Sequence, residues 1–131
     1  MSCIPYPVKQ AHFLTFLNAN LHSGVDIVLD TVNIDSALAG ADIAVTGEGR
    51  IDAQTAMGKA PVGVARLAKK HGAKVIAFAG AVTKDAASCN DAGIDAFFPI
   101  VRGITTLEEA MKPENARENM VATVEQVFRL L

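Results

Sequence analysis

Tryptophan is absent from the 131 residues, tyrosine occurs once, and aromatic residues make up 5% of the chain. Half of the residues are nonetheless apolar and one fifth are charged, a composition that builds a packed core and lies outside the disordered class. The length suits one domain. No positive excess is present: twelve Lys and Arg stand against fourteen Asp and Glu, a formal −2, so no basic field draws the chain to nucleic acid. No apolar run reaches the roughly 18 residues that a membrane span needs, because Gly, Asn, Asp or Lys interrupts every candidate. The opening stretch, Met1 to Pro7, has two prolines and no basic segment leading into an apolar one, so it lacks the pattern of a secretory signal; a cytoplasmic setting is the expectation. Cys3 and Cys89 have no companion at C-x-x-C spacing, which excludes a thiolate metal or redox pair. Both read as free thiols, Cys89 as a small buried side chain. His12, His22 and His71 lie at helix flanks, where surface or capping roles are expected. There is no internal repeat or low-complexity tract.

What is present is an alternation of amphipathic helices and short apolar runs. Phe13, Leu14, Phe16, Leu17 and Leu21 recur at helical spacing and predict a helix over 10–21, stopped by Gly24. Shorter helical pieces follow over 25–32 and 35–39, broken near Asn33 and ended by Gly40. A buried strand is predicted over 41–46, with a Gly-rich loop after it. The pattern then predicts a helix over 61–70 with Pro61 in its first turn and Gly72 past its end, and a second buried strand over 74–80. A helix over 85–92, a Gly93 stop and a third strand over 96–101 follow, with Pro99 putting that strand near an edge. Thr106 is placed to cap a short helix through 111, and a final helix over 114–131 turns Val121, Val124, Val127, Phe128 and Leu131 inward. Strands alternating with helices predict the α/β class: a three-layer arrangement around a partial parallel sheet of about three strands with flanking helices. So small a sheet leaves edges to be covered, so a homo-oligomer, most simply a dimer, is expected.

In open α/β sheets ligands bind outside the carboxyl ends of the strands, and Thr46-Gly47-Glu48-Gly49-Arg50-Ile51-Asp52 follows the first predicted strand. Gly47 and Gly49 let the backbone approach a ligand, while Glu48, Arg50 and Asp52 bring both signs of charge onto one short stretch. The segment continues through Gln54, Thr55, Gly58 and Lys59, so Gly58, Lys59 and the amides at the next helix start are candidates to face a phosphate. The dinucleotide pattern G-x-G-x-x-G fails because Asp52 stands where its third glycine belongs. The Walker A pattern fails because Ala53 replaces a glycine and Ala60, after Lys59, lacks the hydroxyl. A second strand end, Ala79-Gly80-Ala81-Val82-Thr83, meets the same cleft, with Gly80 serving either a ligand or the relief of crowding; Arg102-Gly103 follows the third.

The run from Thr46 to Thr55, with Gly58-Lys59-Ala60-Pro61-Val62-Gly63-Val64-Ala65 after it, resembles the signature stretch of the bacterial glycerate kinase family. The resemblance continues through 75–80, 93–98 and 106–110. It implies ATP-dependent phosphorylation of D-glycerate with Mg²⁺, and a Rossmann-like domain completed by strands from a preceding part of the chain. On that footing residues 13–131 correspond to the C-terminal portion of the family's Rossmann-type domain, and 1–12, which carry no glycine, are expected to be a divergent, disordered leader. Glu48 and Asp52 are the candidates for Mg²⁺ coordination or for taking the substrate hydroxyl proton, with the two roles unassigned between them. Lys59 is expected on phosphate and Arg50 on the glycerate carboxylate, with Gly47, Gly49, Gln54, Thr55 and Gly58 lining the substrate and phosphate. Such a partial chain is expected to be inactive alone. Two other readings stay open: a non-catalytic remnant or interaction subunit, and a dinucleotide- or flavin-binding module.

Overall fold

The computed structural model describes residues 22–131. The expected leader over 1–12 and the expected helix over 10–21 lie outside the described residues. In chain order the elements are α1 (Gly24–Thr31), α2 (Ile34–Leu38), β1 (Ile43–Ile51), α3 (Ala53–Ala56), α4 (Ala60–Lys70), β2 (Lys74–Val82), α5 (Ser88–Asp91), β3 (Ala96–Pro99), α6 (Leu107–Ala110) and α7 (Pro113–Phe128).

β2 explains the layering. It is apolar on both sides, as a central parallel strand must be. Val75, Ala77 and Ala79 enter one core cluster with Leu29, Leu38, Ala65, Ala68 and Ile94, while Ile76 and Phe78 enter another with Ile100 and Val127. Helices therefore cover both faces, α1, α2 and α4 on one and α7 on the other, which gives three layers. The sheet order is β1-β2-β3, both pairs parallel, with register running from Ile43↔Lys74 to Ile51↔Val82 and from Ile76↔Ala96 to Ala79↔Pro99. Pro99, without an amide hydrogen, falls on an edge strand as expected.

α4 carries Pro61 in its first turn, and Gly72, at φ +78°, turns the chain after its end. A Cβ at Gly63 would lie 2.6 Å from Val25 Cγ1 and 2.9 Å from Leu29 Cδ1, so the glycine is what lets α1 settle onto α4. Asn33, at φ 51°, makes the expected break between α1 and α2.

Three expectations need correction. β1 does not stop before Gly47 but continues to Ile51, which is fully buried, so most of the expected Gly-rich loop is strand. Tertiary pairing overrides the low strand preference of glycine here: a Cβ at Gly47 would stand 2.8 Å from Phe78 O, and one at Gly80 2.7 Å from Gly49 O. Gly80 thus relieves crowding. The helix expected over 85–92 is only the four-residue α5, because the Thr83 hydroxyl bonds the Asp85 carboxylate and holds that stretch in turns. The last helix, α7, ends at Phe128 rather than 131; on it Val127 is buried and Val124 packs beside it, but Val121 and Phe128 are exposed, as is Leu131 beyond its end. A helix of 16 residues is about 24 Å long and overhangs the narrow sheet face beneath it. Among the described residues no helix is long and apolar enough to cross a membrane.

Asp95 ties the layers at the other end of the strands. Its carboxylate accepts from the Val75 amide at 2.6 Å and pairs with Lys69, while its own amide donates to Val75 O at 2.9 Å. Burial pushes its pKa up, but the Lys69 ammonium and the Val75 amide outweigh that and hold it below the ordinary carboxylate value.

Gly47→Ala and Gly80→Ala should each lower stability by about 1–3 kcal/mol, read as a reduced urea midpoint. Gly49→Ala, whose Cβ would have nothing within 4 Å, should shift it by less than about 0.5 kcal/mol. Because the folded pKa of Asp95 is depressed, its contribution is complete above the unfolded value and lost as pH falls through the folded one. Acid titration of stability should therefore show a smaller loss in Asp95→Asn than in the unaltered chain.

Candidate active site at the end of β1

The carboxyl end of β1 feeds directly into α3, and the joint is a reciprocal cap. Asp52 Oδ1 accepts from the Gln54 amide at 3.0 Å and the Thr55 amide at 3.2 Å, while the Asp52 amide donates to Thr55 Oγ1 at 3.2 Å. Thr55 is fully buried, and its hydroxyl donates to Glu48 Oε2 at 3.1 Å. Gly58, at φ +108°, then reverses the chain so that Lys59 comes back over the strand end. Lys59 Nζ lies 3.1 Å from Glu48 Oε1 and 3.6 Å from Asp52 Oδ1, and Arg50 Nε lies 3.8 Å from Asp52 Oδ2. The hydrogen bond to Glu48 raises the pKa of Lys59 despite an opposing desolvation cost, and the charges of Glu48 and Asp52 add to the rise. Lys59 is held as an ammonium.

The structure thus brings Glu48, Asp52, Thr55 and Lys59 together, with Arg50 at the rim. It treats the other candidates differently. Gly47 and Gly49 are strand residues pressed against β2 at Phe78 and Gly80. Gln54 contributes its backbone amide to the cap. The amides at the start of α4 are largely spent: Pro61 has none, and those of Val62 and Gly63 both return to Lys59 O at 3.1 Å. Of the candidates at that helix start, the Lys59 side chain is the one that joins the cluster. Among the described residues no group of three or more His, Cys, Asp or Glu converges on a metal position.

Sequence reasoning missed Asp85. It follows β2, where Thr83 donates its hydroxyl to the Asp85 carboxylate and also reaches Ile51 O at 3.2 Å, so Asp85 is held beside the end of β1 while Asp52 takes the Gln54 and Thr55 amides of α3. The Thr83 hydroxyl chiefly, then its own and the Ala53 amides, hold the Asp85 pKa below the ordinary value, with the Arg50 charge adding to the effect. The signal was the Thr83-x-Asp85 spacing, which favours a local turn over a helix. Cys89 is fully buried, as expected, and its thiol donates to Asp52 O at 3.5 Å. Burial raises its pKa, with the Asp52 and Glu48 charges adding to it. His71 sits at the surface with Nε2 3.1 Å from Asp35 Oδ1.

Thr55→Val should cost about 1–3 kcal/mol, since it leaves a partly buried Asp52 amide and a Glu48 oxygen without their partner; thermal unfolding measures this. In a Cys3→Ser background the remaining thiol, Cys89, should resist iodoacetamide in the folded protein and react on unfolding. Rapid labelling under native conditions would contradict the buried thiol.

The sequence compared with known proteins matches the model of the glycerate kinase family over residues 10–131. It is 46% identical over 114 residues to a glycerate kinase of Bacillus subtilis (strain 168), covering 87% of this chain and 29% of that protein. It is 40% identical over 119 residues to a glycerate 2-kinase of Escherichia coli (strain K12), covering 87% of this chain and 31% of that one. A solved structure described as a glycerate kinase 2 from Salmonella typhimurium LT2 superposes with a TM-score of 0.58 at 39% identity, covering 92% of this chain and 32% of the other. The chain therefore spans a little under a third of the length of these relatives. The matched stretch takes in every described strand and the whole Glu48, Asp52 and Lys59 cluster, and by that match the chain belongs to the glycerate kinase family.

Proposed function

We propose that this chain carries one wall of the active site of an ATP-dependent kinase acting on D-glycerate. The observation that carries the reading is the Lys59 ammonium held between Glu48 and Asp52 at the carboxyl end of β1, in a chain of that family. Phosphoryl transfer asks mainly for positioning and charge neutralisation, and this cluster supplies fixed groups of both signs. The donor set suits Mg²⁺, which takes one or two carboxylates and completes its shell with water and phosphate oxygens; of Glu48 and Asp52, Asp52 is the residue that would hold it, through Oδ2, which no helix amide occupies. When bound, the ion neutralises charge on the phosphates.

The residues divide the remaining work by how they are held. Asp52 Oδ1 already carries two helix amides, so Asp52 is the fixed member. Glu48 is held only by side chains among the described residues, the Thr55 hydroxyl and Lys59, and is the better placed to accept the substrate hydroxyl proton. Lys59 acts as a point charge for phosphate, and the exposed Arg50 offers a fork to the glycerate carboxylate. Gly47, Gly49 and Gly58 shape the backbone around these groups. A dinucleotide or flavin site is disfavoured because the Asp52 carboxylate occupies the Gln54 and Thr55 amides that a pyrophosphate would need. A cytoplasmic setting, where ATP is the donor, and self-association through the exposed apolar residues of β1 and α7 belong to the same proposal.

ADP release coupled to D-glycerate tests it, with the chain alone and mixed with the preceding part of the Bacillus subtilis relative. The chain alone should show no turnover, because transition-state stabilisation needs groups from both sides of a cleft. The mixture should turn over, and Lys59→Met or Glu48→Gln should cut kcat by at least about 100-fold without loss of fold. Full activity in both variants would remove the cluster from catalysis. A folded, associated mixture with no turnover would favour the interaction-subunit reading.

A further inference from the structure

The function above makes no use of the carboxyl end of β3. There Ile100 leaves the sheet after a last bond from its amide to Ala79 O at 2.8 Å, and the chain from Val101 to Thr105, the end of α6 and the start of α7 line an open cleft of about 200 Å³. The strands are parallel, so the cleft lies at the same carboxyl edge of the sheet as the Glu48 cluster, with the backbones of Pro99 and Glu48 two strand spacings, about 10 Å, apart and α7 and α4 on opposite faces.

The lining has a definite chemistry. Arg102, Glu118 and Asn119 face it, and among the described residues none of their side chains makes a hydrogen bond or ion pair. Glu109 is the opposite case: Lys112 Nζ donates to its Oε1 at 2.6 Å, and Asn115 Nδ2 to its carbonyl at 2.8 Å, so that wall is set in advance. With Glu109 neutralised by Lys112, the free charges are one cation and one anion. A phosphate would meet the Glu118 carboxylate and gain little. A neutral, hydroxyl-bearing group suits the set: Glu118 accepts from hydroxyls, while Arg102 and the Asn119 carboxamide donate to ring and hydroxyl oxygens. The volume lies below the roughly 300 Å³ at which pockets for drug-sized ligands begin, and so suits a single sugar ring. At the rim Ile104 is fully exposed and presents an apolar face that a flat base would cover.

We propose that this cleft holds the nucleoside end of the nucleotide donor, with the ribose diol on Glu118 and the base against Ile104, so that the phosphates run along the sheet edge toward Lys59. The inference rests on the kinase reading for its orientation but is read out without catalysis. In ¹H–¹⁵N NMR titrations of the whole chain, adenosine should shift the amides of Gly103, Ile104 and Thr105 and the Asn119 side chain, and leave the Lys59 region still. Inorganic triphosphate should do the reverse. Glu118→Gln, a change on the exposed face of α7, should weaken adenosine binding about tenfold and leave the triphosphate response intact, and 2′,3′-dideoxyadenosine should match that loss with the unaltered chain. A triphosphate response without an adenosine response at the cleft overturns this proposal and leaves the kinase reading standing. An adenosine response there with none to triphosphate at Lys59 supports the cleft and counts against the kinase reading. Adenosine binding that Glu118→Gln does not weaken, or silence toward both probes, overturns the assignment.

Discussion

The close approach of β1 and β2 at two glycines is the constraint on which the functional end of the molecule depends. Phe78 O and Gly49 O occupy the places where side chains at Gly47 and Gly80 would stand. With those places empty, the parallel ladder runs on to Ile51↔Val82, and Ile51 reaches full burial. Glu48 is thereby mounted on a rigid strand, and Asp52 falls one residue beyond it, where the chain must turn. A side chain at either glycine would splay the two strands just where the carboxylates need to be fixed.

Around that mount, each polar group serves both the fold and the site. Asp52 caps α3 and faces Lys59; Thr55 closes the cap and steadies Glu48; Lys59 begins α4 and bridges the two carboxylates. The ion pairs are partly open to water, so their worth to stability is small. Their importance is geometric: a buried hydroxyl and two helix amides decide where each oxygen points.

The alternation of elements was legible because its signals are local and strong. Pro61 and Gly72 bracket α4, Asn33 breaks α1 from α2, and Thr106 caps α6 with its hydroxyl 3.2 Å from the Glu109 amide. The charged residues of the site were legible for a similar reason, since they crowd one stretch of sequence. What escaped depended on distant partners. The length of β1 is set by how β2 lies against Gly47, the place of Asp85 by Thr83, which bonds both it and Ile51 O on another strand, and the exposure of Val121 and Phe128 by the width of the sheet beneath α7. Side-chain periodicity carries none of these distances.

Glu48 and Lys59 are eleven residues apart, and every other contact within the cluster spans fewer. The chain entropy lost in closing so short a loop is modest, whereas β3 and α7 are held to the sheet by contacts distant in sequence and, on α7, by a single buried side chain, Val127. The two ends of the proposed nucleotide path are accordingly held by contacts of different range. Local opening that frees α7 would dissolve the cleft beside Arg102 while the clasp at Lys59 persists, so the molecule can lose its grip on one end of a ligand before it loses the other.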